Sequence, residues 1–194
     1  MILYIFGAGH GADEILEDSV FSELVNGYIF VEDNPHDNNI VSTDSIISKA
    51  KYGIVSTWSP TWKAKLDKLF PNINWISAIS PRANIMIKAV GLNARSGSIV
   101  SSSVKIGRHV RINFNSNIGC DSQIGNYSFI AMGCSMLGNS RLGNGSILYS
   151  HSVVLPSITV GNNTVIGAGS VVTKDIPDNV IAYGSPCKVV RENE

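Results

Sequence analysis

Apolar residues recur every six positions through the second half of this chain, and few folds accommodate so short and strict a period. Ile106, Ile112, Ile118, Ile124, Ile130, Met136, Leu142, Leu148, Val154, Val160, Ile166 and Val172 are each six residues apart. Four residues after them stand small side chains, at Val110, Ser116, Ser122, Ser128, Cys134, Ser140, Ser146, Ser152, Thr164 and Ser170; only Ile158 is large. Gly107, Gly119, Gly125, Gly143, Gly161 and Gly167 directly follow six of the apolar residues. A short strand that turns sharply every six residues buries one large and one small side chain per side, and its corner needs Gly or Asn to reach positive φ. Three such sides close a triangular coil, and stacked coils pair their backbone groups with the coil above and below. The longer period shows in two columns, one of Gly107, Gly125, Gly143 and Gly161, the next of Asn126, Asn144 and Asn162. From about Val100 to Val172 the chain is therefore expected to be a parallel β-helix. A β-sandwich would need period-two alternation and irregular turns.

The first 80 or so residues read differently, as alternating strands and helices. Ile2 to Phe6 is a continuous apolar run of the kind found in a buried parallel strand. Ala12 to Val25 places Ile15, Leu16, Val20, Leu24 and Val25 on roughly one helical face. Tyr28 to Val31 is a second strand, closed by Glu32-Asp33 and broken by Asn34-Pro35. Gly53 to Ser56 is a third. Ser59 is a candidate N-cap with Pro60 at the first helical position, leading a helix to about Phe70. A last strand runs from Trp75 to Ile79.

Composition narrows the function classes. Fifteen basic and fifteen acidic residues balance, so neither nucleic acid nor an anionic membrane is an expected partner. Cys120, Cys134 and Cys187 lack metal-ligand spacing, so no metal is expected, and their odd number suits a reducing compartment. No run approaches the roughly 18 apolar residues of a membrane span, and the start MILYIFGAGH lacks the pattern of a signal peptide. A cytoplasmic location is the expectation.

Gly7-Ala8-Gly9-His10-Gly11-Ala12 follows the first strand and opens a helix, which places backbone N–H groups where a pyrophosphate can sit. Glu32 and Asp33 end the next strand, where a ribose-binding carboxylate belongs. NAD would be the simple reading, but about 80 residues supply only half of a dinucleotide fold. A Gly turn serving strand–helix packing alone is the other possibility. Trp58 and Trp62 flank Ser59-Pro60 beside this pocket, as stacking partners for a base or as core.

Taken together, LYIFGAGHGADEIL, IFVEDN, SPRANI, SSSVKIGRHVRINFNSNIG, VLPSITVGNNTVIGAGSVVTKDIP and YGSPCK resemble the PglD/NeuD-like sugar acyltransferases of the hexapeptide-repeat, left-handed β-helix superfamily. The resemblance implies a half-Rossmann-like α/β domain over residues 1–80 that binds a nucleotide sugar, then an all-β left-handed β-helix over 81–194 with a C-terminal cap. It implies acetyl-CoA or another acyl-CoA as co-substrate, a homotrimer with sites between adjacent β-helices, and a role in surface-polysaccharide or glycan biosynthesis. Positions matching the family's sugar-nucleotide contacts are Gly9, His10, Gly11, Glu32, Asp33 and Thr57, with the family's His one place later than His10. Positions on the acetyl-CoA groove fall at Phe129, Ser150 and Ala168.

The catalytic pattern departs from the family. Aligned on Ile124-Gly125, the general-base His position is Cys120, followed by Asp121, and the second family His falls at Phe129. A base contributes about 10²–10⁴-fold to acyl transfer and positioning supplies most of the rest. A sugar amine is partly neutral near pH 7, whereas a hydroxyl needs its proton removed, so a site without this His favours an amine acceptor. Cys120 as a covalent acyl carrier, His151 or His109 as base from a neighbouring face, Asp121 as base, and Cys120 as a mere corner residue are the open alternatives. The rival to an acyltransferase is a trimer that binds nucleotide sugar without transferring an acyl group. A third reading makes the N-terminal unit only an oligomer scaffold.

Overall fold

The computed structural model describes residues 2–7, 27–32 and 40–194. The Gly9–Gly11 loop, the helix expected over 12–25, Asp33, Asn34-Pro35 and His36 lie outside the described residues.

Strands β1 (Ile2–Phe6), β2 (Gly27–Glu32), β3 (Ile40–Ser42), β4 (Tyr52–Val55) and β5 (Asn74–Trp75) form one parallel sheet in the order β3-β2-β1-β4-β5. Both faces of β1 are buried, which is why its sequence is apolar throughout. Tyr4 and Phe6 pack with Val31, Val55, Leu66, Phe70 and Ile73 on one side, and Leu3 and Ile5 with Ile54 and Ala78 on the other. Helix α1 (Pro60–Leu69) covers the first of these sides. It starts as the sequence predicts: Pro60 occupies the first turn, and the Ser59 hydroxyl accepts the Trp62 N–H at 3.3 Å.

The rest of the chain winds into a parallel β-helix with three faces. Face one carries Ala78–Ile79, Asn93–Ala94, Arg111–Ile112, Phe129–Ile130, Ile147–Leu148 and Val165–Ile166 and ends in the antiparallel pair Val180–Gly184 and Cys187–Glu192. Face two runs from Asn84–Ile85 to Val171–Val172, and face three from Lys105–Ile106 to Thr159–Val160. The hexad residues sit one above another, Ile112 on Ile130, Ile118 on Met136, Ile124 on Leu142, and fill a single continuous core.

The strand expected over Trp75–Ile79 is two strands, because the chain leaves the sheet after Trp75 and Ala78–Ile79 is already the first rung of the β-helix. That rung escapes the hexad pattern because Ala78 pairs with Asn93 and Asn84 with Ile99, a shorter coil without a strand on face three.

The corners correct one expectation about glycine. Gly107, Gly125, Gly143 and Gly161 are not the left-handed residues; positive φ occurs two places later, at His109, Tyr127, Gly145 and Asn163. The glycines are needed for close approach instead. A Cβ on Gly125 would lie 2.5 Å from the Asn144 nitrogen, and one on Gly143 2.5 Å from that of Asn162. The asparagines beside them form a ladder. Asn126, Asn144, Asn162 and then Asp178 each accept the backbone N–H of the coil before, at 2.7–2.9 Å. The small hexad residues are buried hydroxyls with partners: Ser116, Ser128 and Ser146 donate to the carbonyls of Ala131, Gly143 and Gly161 at 2.6–2.8 Å. Cys134 takes a place in the same series, and burial pushes its thiol up.

Candidate active site

The carboxyl ends of β1 and β4 meet where strand order reverses, the place where open α/β sheets hold ligands. Gly7 leaves β1 at φ +99°, and its N–H donates to the Val31 carbonyl at 2.9 Å. Ser56 leaves β4, donates its N–H to Phe6 O at 2.9 Å, and its hydroxyl reaches the Phe6 and Gly7 carbonyls. Thr57 follows, with Oγ1 accepting the Ser59 N–H at 3.2 Å, and Glu32 ends β2 opposite Ser42. Glu32 and Thr57 therefore stand on the same sheet edge, as their sequence positions predict. Trp62 packs against the core, whereas Trp58 is 55% exposed.

This edge is fastened to the β-helix by side chains that, His109 apart, the sequence does not single out. Helix α1 runs along the corner between faces three and one. Pro60 borders Gly145, Lys63 Nζ donates to the carbonyls of Tyr127 and Ser128 at 3.3 and 3.2 Å, and Asp67 meets Arg108, His109 and Tyr127. The match is geometric: three or four helical residues rise about 4.5–6 Å, close to the ~4.8 Å between neighbouring rungs. Lys63 is fully buried, and desolvation, with the Arg111 charge next, lowers its pKa to about 7. Burial opposes the charge on Asp67, but its donors Arg108, Tyr127 and His109 prevail and hold the carboxyl below its usual range. His109 is 1% exposed, and burial, partly offset by Asp67, keeps its pKa low. The neutral ring is assigned Nε2–H donating to Asp67 at 3.3 Å, with Nδ1 held over Gly91. Arg111 Nη1 donates to the Ser56 carbonyl at 2.6 Å, tying face one to the end of β4.

The expected catalytic and acyl-binding residues fall in three places. Cys120 and Asp121 are exposed at the corner between faces two and three, where the Ser103 hydroxyl accepts the Asp121 N–H at 2.9 Å. Ser150, His151 and Ala168 gather at the corner between faces one and two, with the Gly169 N–H donating to Ser150 O at 2.9 Å. That corner is open: nothing lies within 4 Å of a Cβ built on Gly169, and the exposed His151 ring covers Gly133. Phe129 lies on face one, nearly buried, with the Arg111 guanidinium 5.9 Å from its ring centre. His109 is corrected as a base candidate, since its ring is closed in by Asp67, Trp75 and Gly91. Among the described residues no group of three or more His, Cys, Asp or Glu side chains is placed to hold a metal ion, and no helix is long and apolar enough to cross a membrane.

Residues 139–174 match the bacterial transferase hexapeptide model of six repeats. Solved structures extend the likeness to the whole chain. A histidine-to-asparagine variant of perosamine N-acetyltransferase from Caulobacter crescentus, in complex with CoA and GDP-perosamine, gives a TM-score of 0.91 at 22% identity over 99% of this chain and 98% of that one. The acetyltransferase domain of PglB from Neisseria gonorrhoeae, in complex with acetyl coenzyme A, gives 0.89 at 20% identity over 97% and 98%. WeeI from Acinetobacter baumannii gives 0.79 at 20% identity over 98% and 100%. The chain has their fold. It is a left-handed parallel β-helix, and the expected likeness to hexapeptide-repeat sugar acetyltransferases holds. No curated protein matches the sequence.

Proposed function

We propose that this protein transfers an acyl group, most simply acetyl from acetyl-CoA, to the amine of a nucleotide-linked amino sugar. The observation that carries the reading is the match of nearly the whole chain to perosamine N-acetyltransferase with CoA and GDP-perosamine bound. In this reading residues 1–80 are a Rossmann-like nucleotide-sugar unit, with Gly9, His10, Gly11, Glu32, Asp33 and Thr57 on the substrate, and residues 81–194 carry the acyl donor. Acetyl-CoA lies along the open corner of Ser150 and Ala168, where small side chains leave room for a pantetheine arm. The sugar amine attacks the thioester carbonyl carbon, the tetrahedral adduct collapses, CoA leaves as thiolate, and the ammonium proton passes to a base or to water. His151 shares that corner and is the base we favour; Cys120 with Asp121 enters from a neighbouring β-helix of a homotrimer. The enzyme works in the cytoplasm, in surface-polysaccharide or glycan biosynthesis.

A second reading, a trimer that binds nucleotide sugar without acyl transfer, is favoured by one observation: Cys120 and Phe129 occupy the two family histidine positions. Incubation with acetyl-CoA and a panel of UDP-, GDP- and dTDP-amino sugars, followed by free thiol release, separates the two. Turnover establishes transfer. Sugar-nucleotide binding with no turnover on any acceptor establishes the second reading.

A further inference from the structure

Given the nucleotide-sugar reading above, on which this rests, we propose that Trp58 is the platform on which the nucleobase of the substrate stacks. The other described aromatic side chains of the N-terminal unit are used internally. Tyr4, Phe6 and Phe70 are buried, Trp75 packs edge-on against Phe6 and Phe70, and Trp62 joins the same cluster. Trp58 alone is exposed among the aromatic residues of this unit whose exposure is described.

Its place is fixed from both sides. The Ser56 N–H is bonded to Phe6 O, Thr57 Oγ1 takes the Ser59 N–H, and Ser59 Oγ takes the Trp62 N–H. An indole on so constrained a backbone loses little freedom when a flat ring settles on it, which is what makes a stacking partner effective. It also stands at the reversal point between β1 and β4, two residues beyond the Ser56 hydroxyl that bonds Gly7 O. A pyrophosphate at the Gly7 turn has two ends: the sugar must reach toward the β-helix for acyl transfer, so the base projects along the sheet edge. Of those two ends only the base offers a π face matched to an indole. Stacking of this kind tolerates any base, so Trp58 supplies affinity, and base choice rests on polar groups at the rim.

Calorimetric titration of the full chain with UDP, GDP, dTDP and inorganic pyrophosphate tests this, with Trp58→Ala and Trp58→Phe beside the wild type. Trp58→Ala is expected to weaken all three nucleotides by roughly tenfold to a hundredfold. Its pyrophosphate affinity stays unchanged, and Trp58→Phe retains most of the nucleotide affinity. Nucleotide binding should quench tryptophan fluorescence in the wild type and not in Trp58→Phe. Unchanged nucleotide affinity in Trp58→Ala, with the wild type binding, overturns the platform and leaves the nucleotide-sugar reading standing. A shift in oligomeric state on size exclusion with nucleotide affinity intact overturns it too, by placing Trp58 in a subunit contact. A wild type that binds no nucleotide removes both.

Discussion

At the corner between faces three and one, the second residue after the hexad apolar position is Arg108 and then Asn126, Asn144 and Asn162 in successive coils; at the corner between faces two and three it is Ser102, Cys120, Gly138 and Pro156. The three asparagines recur because each side chain accepts a backbone N–H of the preceding coil, whereas Arg108 at the head of the column turns to Asp67. The second set is mixed, and Cys120 is exposed, its sulfur 3.3 Å from a Cβ built on Gly138. One corner spends this position on holding the stack. At the other the side chain at this position makes no such bond, and its identity changes from coil to coil.

The contrast breaks if a change at the structural corner is harmless. Gly143→Ala puts a Cβ 2.5 Å from the Asn162 nitrogen and the Gly161 carbon, both backbone, so nothing nearby can yield cheaply. A loss of about 3 kcal/mol or more in urea unfolding is expected.

The next effect is a pH dependence at the same corner, and its sign is unusual. Lys63 titrates at about 7 when folded against 10.5 when unfolded. Between those values the unfolded chain binds the extra proton, so stability rises with pH, by at most about 1.4 kcal/mol per pH unit. Below pH 7 both states are protonated and this slope vanishes. Lys63→Met, a near-isosteric apolar replacement, should remove the rise between pH 7 and 9, read as the difference in unfolding free energy between variant and wild type. An equal slope in both proteins would mean that Lys63 is solvated.

Asn144→Ala should cost about 1 kcal/mol, because the Asn126 N–H loses its acceptor at an exposed site where water partly replaces it. Cys120→Ala should lie within about 0.5 kcal/mol of wild type, as a surface change with no partner to orphan. Thermal and denaturant unfolding of these two variants measures the contrast directly, and equal losses would erase it.

How far the sequence discloses this molecule follows the same division. Twelve hexad positions reveal the β-helix because each coil meets the same packing problem. The register is hidden where coils are irregular, at Ala78–Ile79 and Asn84–Ile85, which pair fifteen residues on. The Ser59-Pro60 start of α1 is a local signal and is legible for that reason. Lys63, Asp67, Arg108 and Arg111 carry no such mark. A lysine three residues into a helix reads as solvated until a β-helix corner far along the chain supplies its carbonyl partners, and Asp67 gains its role only from Arg108, His109 and Tyr127. Glu32 and Thr57 are readable as ends of strands; the bond from Arg111 to the Ser56 carbonyl is not, since it depends on the fit of one unit on the other.

That fit also sets how a chain of this design can lengthen. Pro60, Lys63 and Asp67 touch three successive rungs, at Gly145, Tyr127 and His109, like teeth on a rack. An extra coil inserted between His109 and Gly145 would throw every tooth out of step. Past Asn163 the rack carries no tooth of α1, and the β-helix is free to gain or shed coils there without disturbing the sheet edge that α1 holds in place.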